Sequence, residues 1–432
     1  MTTSPIDPLR KAGLQPSVWC LLGSLYTTQS VALMFFMGAF VAIIREKGAT
    51  FEQISLVYLV GMVWPLKCLW APLVDRFRIG RLGHYRGWLM LMQAGMVAAL
   101  AVAASLDEAR DFTRIYALCV LIAFLSATQD IAVDGLACRI LSSAQRGLAN
   151  GVQIAGGLLG NLLGAGAALV VYHYAGWRVS LYWLAAITGI SLVQLLFYRE
   201  PVTQAQIRRA LALGRFVTFW RQPGGLRWLL LLMFYTVSSS LAYALIMPML
   251  VDAGWSLSRI GLVVNVFGSL AGVIAAVGCG VLLRGRRRRH ALILAAIVQV
   301  VGVAAVAVPL LAQPTGFVLT AMVGVYFFCY NPAAVVLATV MMDRTSSGSP
   351  ATDYTLQFSV NQCFALGMVS IGAALAAPLG YPGVTALAMA AAWLAVALAV
   401  AYRESSGGNA GEVEGAKRTE STESTGMAEG VA

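Results

Sequence analysis

The sequence predicts an all-α membrane protein in which twelve transmembrane helices form two repeated halves of six. Three observations carry that prediction. Apolar residues make up 59% of the 432-residue chain, charged residues only 11%, and the mean hydropathy is +0.77, which leaves too little polar surface for a water-soluble globule. The apolar residues come in repeated blocks of about 20, the length a helix needs to cross a hydrocarbon core. Two separated stretches of the chain also match two later ones at a single offset.

Taken in order, the chain begins with a polar segment, 1–16, that contains Asp7, Arg10 and Lys11. The apolar stretch behind it is too long for a signal-peptide core and has no clear cleavage site, so it reads as a retained first span. The spans are expected at 17–44, 54–74, 87–105, 115–137, 148–171, 179–198, 228–251, 260–283, 291–311, 317–341, 356–377 and 384–402. They divide into an N-terminal half, 17–198, and a C-terminal half, 228–402, joined by an arginine-rich linker, 199–227. The tail, 403–432, is rich in Gly, Ser, Thr and Glu and is expected to be disordered. No run alternates apolar and polar residues as the strands of an outer-membrane barrel would.

The duplication rests on two matches. Gly48-Ala-Thr-Phe-Glu-Gln-Ile-Ser-Leu-Val precedes span two, and Gly254-Trp-Ser-Leu-Ser-Arg-Ile-Gly-Leu-Val precedes span eight in the same register. Thr50 and Ser256, which correspond, are both expected to cap the helix that follows. At the same offset Gly166-Ala-Ala-Leu in span five meets Gly372-Ala-Ala-Leu in span eleven. Two matches at one offset argue for a 6 + 6 repeat with a cleft between its halves.

The net charge of +11 and the run Arg284-Gly-Arg-Arg-Arg-Arg289 would suggest nucleic acid in a soluble protein. Here most basic residues fall in alternate loops, the linker and the termini. That distribution follows the positive-inside rule and places both termini of a multi-pass membrane protein in the cytoplasm. Nucleic acid is therefore not an expected partner, whereas the lipid bilayer is. The seven cysteines, Cys20, Cys68, Cys119, Cys138, Cys279, Cys329 and Cys363, lie in or beside spans and form no CxxC pair. With His84, His173 and His290 far apart, neither a metal nor a redox cofactor is expected.

Charge inside the spans is scarce, so its positions matter. Lys67 is the only basic residue placed within a span, about 12 Å inside the loop that starts at Asp75, and Asp130 lies about 13 Å before Arg139. A charge at that depth costs about 3 kcal/mol or more unless it is paired or wetted. Opposite signs at matching depths predict a Lys67–Asp130 pair, with Asp134 one turn further on. The pair reads either as a coupling element that breaks and reforms or as a static bridge. Asp75, Arg76, Arg81 and Arg86, in the loop after span two, are the expected gate on the cytoplasmic side. The polar and aromatic residues expected to line a cleft are Tyr26 and Gln29 on span one, Gln129 on four, Gln153 on five, Tyr235, Ser239 and Tyr243 on seven, Tyr326, Tyr330 and Asn331 on ten, and Gln357 and Asn361 on eleven. The run Gly156-Gly-Leu-Leu-Gly-Asn-Leu-Leu-Gly164 reads as a helix-packing face.

Through Leu66-Lys-Cys-Leu-Trp-Ala-Pro-Leu-Val-Asp-Arg76 and Ser126-Ala-Thr-Gln-Asp-Ile-Ala-Val-Asp-Gly135 the chain resembles a branch of the major facilitator superfamily. That branch holds AmpG-type muropeptide permeases, acetyl-coenzyme A transporters and siderophore permeases of the rhizobactin and pyochelin type. The resemblance covers spans one to six clearly, and the matching positions are Lys67, Leu69, Trp70, Pro72, Asp75, Gln129, Asp130 and Asp134. It implies a transporter, not an enzyme, working by alternating access. The first span, Leu25 to Glu46, and the span count are most similar to the siderophore permeases. One buried lysine among many aromatics also suits a compact aromatic chelate better than a large anion. The expectation is thus import of an intact ferric siderophore by a monomer, driven by a proton gradient since no ATP-binding motif is present. The alternative is a muropeptide permease of cell-wall recycling, with a non-transporting assembly factor behind it.

Overall fold

The computed structural model describes residues 15–108, 110–201, 214–311 and 315–402; nearly all of the polar N-terminal segment, part of the linker and the tail lie outside the described residues. Among the described residues there are helices and no strands. Nine helices among the described residues are long and apolar enough to cross a membrane, and two of these hold two crossings each. Ser143–Phe197 bends at Gly176 (φ 76°, ψ −179°) and Pro350–Ala401 at Gly380 (φ 64°, ψ 172°). Glycine supplies that left-handed φ without steric cost, which lets each chain turn straight back into the bilayer. A further crossing, residues 51–76, is broken into pieces too short to count alone.

The crossings are therefore α1 (Pro16–Glu46), α2 (51–76), α3 (Tyr85–Ala103), α4 (Phe112–Ile140), α5 and α6 (the two limbs of Ser143–Phe197), α7 (Gly225–Asp252), α8 (Ser258–Leu282), α9 (Arg288–Leu311), α10 (Gly316–Asp343), and α11 and α12 (the two limbs of Pro350–Ala401). A short linker helix, Arg215–Arg221, precedes α7. Large apolar side chains stand outward on this bundle, among them Phe197, Ile274, Leu311 and Phe317, as a hydrocarbon surrounding requires.

Sequence chemistry explains the helix ends and breaks. Thr50 caps α2 through a capping box, its hydroxyl accepting the Gln53 N–H at 3.3 Å while the Gln53 side chain accepts the Thr50 N–H at 3.0 Å. Ser256 accepts the Arg259 N–H at the start of α8, so both expected caps form. Span two, expected at 54–74, is not one continuous helix. Pro65 has no N–H to give the preceding turn, and the chain tightens into 3₁₀ turns at Val60–Met62 and Lys67–Leu69.

The small residues of α5 serve two partners. A Cβ on Gly156, Gly160 or Gly164 would meet α1 at Tyr26, Ser30 and the Val31 carbonyl, the last at 2.1 Å. This is the packing face read from the sequence, and it seats the π-helical turns Phe35–Phe40 of α1 and Leu162–Ala167 of α5 against each other. Nearer its start, Gly147 and Gly151 press on Gly280 and Ala276 of α8, in the other half.

The apolar core comes in three main parts. One unites both halves at the arginine-rich end, through Leu22, Tyr85, Leu136, Leu283, Met341 and Tyr354. The other two lie toward the opposite end, and each is confined to one half: Val31 to Ala185 in the first, Leu241 to Ala388 in the second. The halves are thus fused at one end and hold separate cores at the other.

Candidate functional site

The break in α2 turns Lys67 into the bundle, where none of its surface is exposed and its ammonium donates to Asp130 of α4. Gln29 of α1 donates to the second oxygen of Asp130 at 2.7 Å. The Lys67 Nζ also sits 4.8 Å from the Trp64 ring and 4.1 Å from the ring of Phe358, on α11 in the other half. Carboxylate, amide and two aromatic faces together replace the water this cation has lost. The pair inferred from matching depth is present.

One turn along α4, Asp134 is fully buried. Its Oδ1 accepts from the Tyr26 hydroxyl at 3.1 Å and from the Gln153 amide at 2.9 Å, while its Oδ2 has no hydrogen-bond partner. The Gln153 carbonyl in turn accepts from the Tyr354 hydroxyl of α11 at 3.0 Å. Gln129 donates to the Leu25 carbonyl at 3.1 Å, its own oxygen unmatched. Tyr26, Gln29 and Gln153 therefore bond to the two aspartates of this buried charge cluster, while Gln129 ties α4 to α1 beside it.

At the arginine-rich end, Asp75 crosses between the halves. Its carboxylate accepts from the Thr352 N–H at 2.7 Å, the Thr352 hydroxyl at 2.6 Å and the Ala351 N–H at 3.3 Å, all in the first turn of α11, and from Tyr85 of its own half at 2.7 Å. A carboxylate against the free N–H groups of a helix N-terminus is a favoured arrangement. The arginines named with it do other work. Arg86 donates to the Leu195 and Leu196 carbonyls of α6 at 2.9 Å, and its backbone N–H reaches Glu200. Arg76 lies over the Phe77 ring beside it, and Arg81 lends its carbonyl to Arg78. These three stay in their own half, held by neighbours in the loop and by α6.

Two acidic residues that the sequence analysis did not single out also hold this end together. Asp343, at the end of α10, pairs with Arg146 of α5 at 2.9 Å and with Arg288 of α9, which also donates to the Ser143 carbonyl. Asp353, buried in the first turn of α11, holds Arg215 of the linker helix and accepts the Ser346 N–H. A basic residue within one turn of a predicted span end, with an acid at another, was the only local sign of either.

The residues expected to line a cleft in the C-terminal half divide. Tyr235 donates to the Leu292 carbonyl at 2.6 Å and Ser239 to the Thr236 carbonyl. Asn331 bonds back to Phe327 in the α8–α10 seam, against Gly272, and Gln357 joins Trp228 to the Met341 carbonyl. Asn361 accepts from Thr236. Tyr235, Asn331, Gln357 and Asn361 serve packing between neighbouring helices, while the Ser239 hydroxyl bonds back within its own helix. Tyr243, Tyr326 and Tyr330 form an aromatic group with Phe327, in which the rings of Tyr326 and Tyr330 are parallel to within 4° at 5.9 Å. Tyr243 and Tyr330 keep 41% and 37% of their surface free. They offer the open aromatic faces of the proposed lining.

Comparison with known proteins agrees with this architecture. The sequence profile of the Major Facilitator Superfamily matches residues 22–361. The chain is 29% identical over 254 residues to the anhydromuropeptide permease of Escherichia coli (strain K12), a match covering 57% of this chain and 52% of that one, so it spans about half the relative's length. It is 24% identical over 253 residues to the putative transporter AmpG 4 of Rickettsia felis (56% and 61% covered), and 21% identical over 367 residues to the putative transporter AmpG 3 of Rickettsia typhi (78% and 85%). Among solved structures, the human organic anion transporter MFSD10 (TETRAN) superposes with a TM-score of 0.66 at 16% identity, covering 89% of this chain and 100% of that one. A bacterial homologue of the iron transporter ferroportin in its outward-facing state gives 0.63 at 17% identity, covering 90% and 99%. At such identities these structures speak to the fold alone.

Proposed function

The chain belongs to the Major Facilitator Superfamily and is a secondary transporter of that type, and we propose that it is a proton-coupled permease importing an anhydromuropeptide across the bacterial inner membrane. The sequence analysis ranked this substrate second, behind a ferric siderophore. The relatives named above are muropeptide and AmpG-type transporters, and they favour the muropeptide. The physical argument against it also weakens. Lys67 is spent on Asp130 and is not a free cation for any anionic substrate, while the open faces of Tyr243 and Tyr330 suit the apolar faces of sugar rings as well as an aromatic chelate.

The observation that carries the coupling is Asp134: a buried carboxyl with one oxygen unpartnered, beside a lysine already neutralised by Asp130. That oxygen is a place for a proton in a site with no other mobile charge. The arginine-rich end is taken as cytoplasmic by the positive-inside rule. On that orientation the fused core and the Asp75 and Asp343 bonds close the cytoplasmic side, and the separated cores face outward. Protonation and substrate entry from outside, then opening inward, make an import cycle.

The test is uptake into proteoliposomes. An anhydromuropeptide labelled in its sugar is expected to accumulate under an inward proton gradient and to stop on adding a protonophore. Accumulation of a ferric pyochelin-type chelate in its place, with none of the sugar-peptide, would restore the siderophore reading; no gradient dependence for either would end the proton reading.

A further inference from the structure

We propose that Tyr354 and Phe358, one turn apart on α11, are the positioning residues through which the state of the Asp134 carboxyl controls closure between the halves. The inference rests on the proton reading above and assigns its mechanical link. Three levels of one helix touch the opposite half. At the first turn Ala351 and Thr352 give their N–H groups to Asp75. Two residues on, the Tyr354 hydroxyl reaches Gln153 at 3.0 Å and Asn150 at 3.4 Å. A turn further the Phe358 ring, stacked on that of Tyr354 (interplanar 19°), covers the Lys67 ammonium at 4.1 Å. No other described helix of the C-terminal half meets both the gate carboxylate and the charge cluster through bonds or rings identified here.

Gln153 makes the link directional. Its NH₂ donates to Asp134 and its carbonyl accepts from Tyr354, so a flipped amide would set its carbonyl against the Asp134 carboxylate. An ionised Asp134 fixes that orientation through a charge-assisted bond. A proton on the free Oδ2 leaves Oδ1 a neutral acceptor, weakens the hold on Gln153, and with it the hold of α5 on Tyr354. The same proton takes the Lys67–Asp130–Asp134 cluster from one net negative charge to none, and so removes one of the two anions that hold Lys67 in place beneath the Phe358 ring. Closure of the arginine-rich end is thus strongest when Asp134 is charged and loosens when it is protonated. That order suits a carrier that loads its proton from the other side.

The groups facing Asp134 are Tyr26 from α1, Lys67 from α2, Gln153 from α5 and Tyr354 from α11, with Asp130 and Cys138 on its own helix. Tyr85 of α3, under Arg139, packs at the adjacent Gly135. Of these, Asp134 is the carboxyl with an unmatched oxygen.

The experiment is hydrogen–deuterium exchange of the full-length protein in lipid nanodiscs, without substrate, read at the first two turns of α11 and corrected for intrinsic exchange. In the parent protein, protection of residues 350–358 is expected to fall at least five-fold between pH 8 and pH 5.5. Tyr354→Phe, which keeps the ring and removes the donor, and Phe358→Leu are each expected to cut that change to under two-fold, and Asp134→Asn to abolish it. A parent-like response in both α11 variants would overturn this inference and leave proton coupling standing. A parent protein with no pH response, together with gradient-independent uptake, would overturn both. Should Tyr354→Phe not fold, Phe358→Leu decides alone.

Discussion

Replacing Asp75 with Asn tests how much of the closed end depends on one carboxylate. The side chain keeps its shape but loses its charge and one of its two acceptor oxygens. In the structure that carboxylate takes both the N–H and the hydroxyl of Thr352, at 2.7 and 2.6 Å, across the boundary between halves. Hydrogen bonds to a charged group contribute about 1.5–3 kcal/mol and neutral ones about 0.5–1.5, so converting two of them costs about 2 kcal/mol. Loss of a full charge at the N-terminus of α11 adds about 0.3–1 kcal/mol. A change of about 2–3 kcal/mol moves the balance of closed and open states by about 30- to 150-fold. Spin labels on cysteines placed at the exposed Arg81 and Arg286, in a variant without the native cysteines, report the distance across this end. The ratio of long- to short-distance populations is expected to rise by about 30- to 150-fold in Asp75→Asn. Tyr85→Phe, which removes a donor from the same half, is expected to shift the ratio only about five-fold, for about 1 kcal/mol. A distance distribution unchanged within about threefold in Asp75→Asn would refute the latch, because the residue would then be holding its own loop and nothing more.

Other outcomes follow from the same geometry. Asp130→Asn leaves Lys67 buried without its counter-charge and is expected to cost about 3–5 kcal/mol, seen as a lowered Tm; the double variant Lys67→Met/Asp130→Leu is expected to recover most of that stability but no uptake, whereas full uptake would make the pair a static bridge. Gly164→Ala, whose Cβ would stand 2.1 Å from the Val31 carbonyl, is expected to lose about 1–3 kcal/mol or more, while Gly157→Ala, with nothing within 4 Å, changes thermal stability little. Tyr330→Ala is expected to raise the KM for uptake without lowering Tm by much, since its ring is partly free; Tyr235→Phe is expected to do the reverse, through the lost bond to Leu292.

Much of this molecule was legible because the bilayer allows few solutions. A lone intraspan lysine and an aspartate at matching depth had little choice but to pair, and they do. Thr50 and Ser256 could be read as caps because a cap is settled within four residues. Partners fixed by the folded arrangement were not legible. Arg86 looked like gate machinery, yet its guanidinium meets the end of α6, more than a hundred residues away. Tyr235, Asn331 and Gln357 recur at helical spacing as cleft residues would, but the face toward a neighbouring helix has the same period as the face toward a cavity. Tyr354 and Phe358 went unnoticed because the sequence near them carries no sign that α11 bears on both the gate and the charge cluster. The break in α2 was signalled by Trp64-Pro65, a proline within an otherwise apolar run.

The seam where Gly147 and Gly151 meet Gly280 and Ala276 has a consequence for the working life of the carrier. Gly151 and Gly280 meet backbone to backbone, with the Leu283 side chain seated against Gly147 beside them, so few rotamers need resetting when the join parts. Such a join can open and reseal to the same close fit. A secondary transporter needs that tightness, because any water thread through its closed end would let ions pass without cargo.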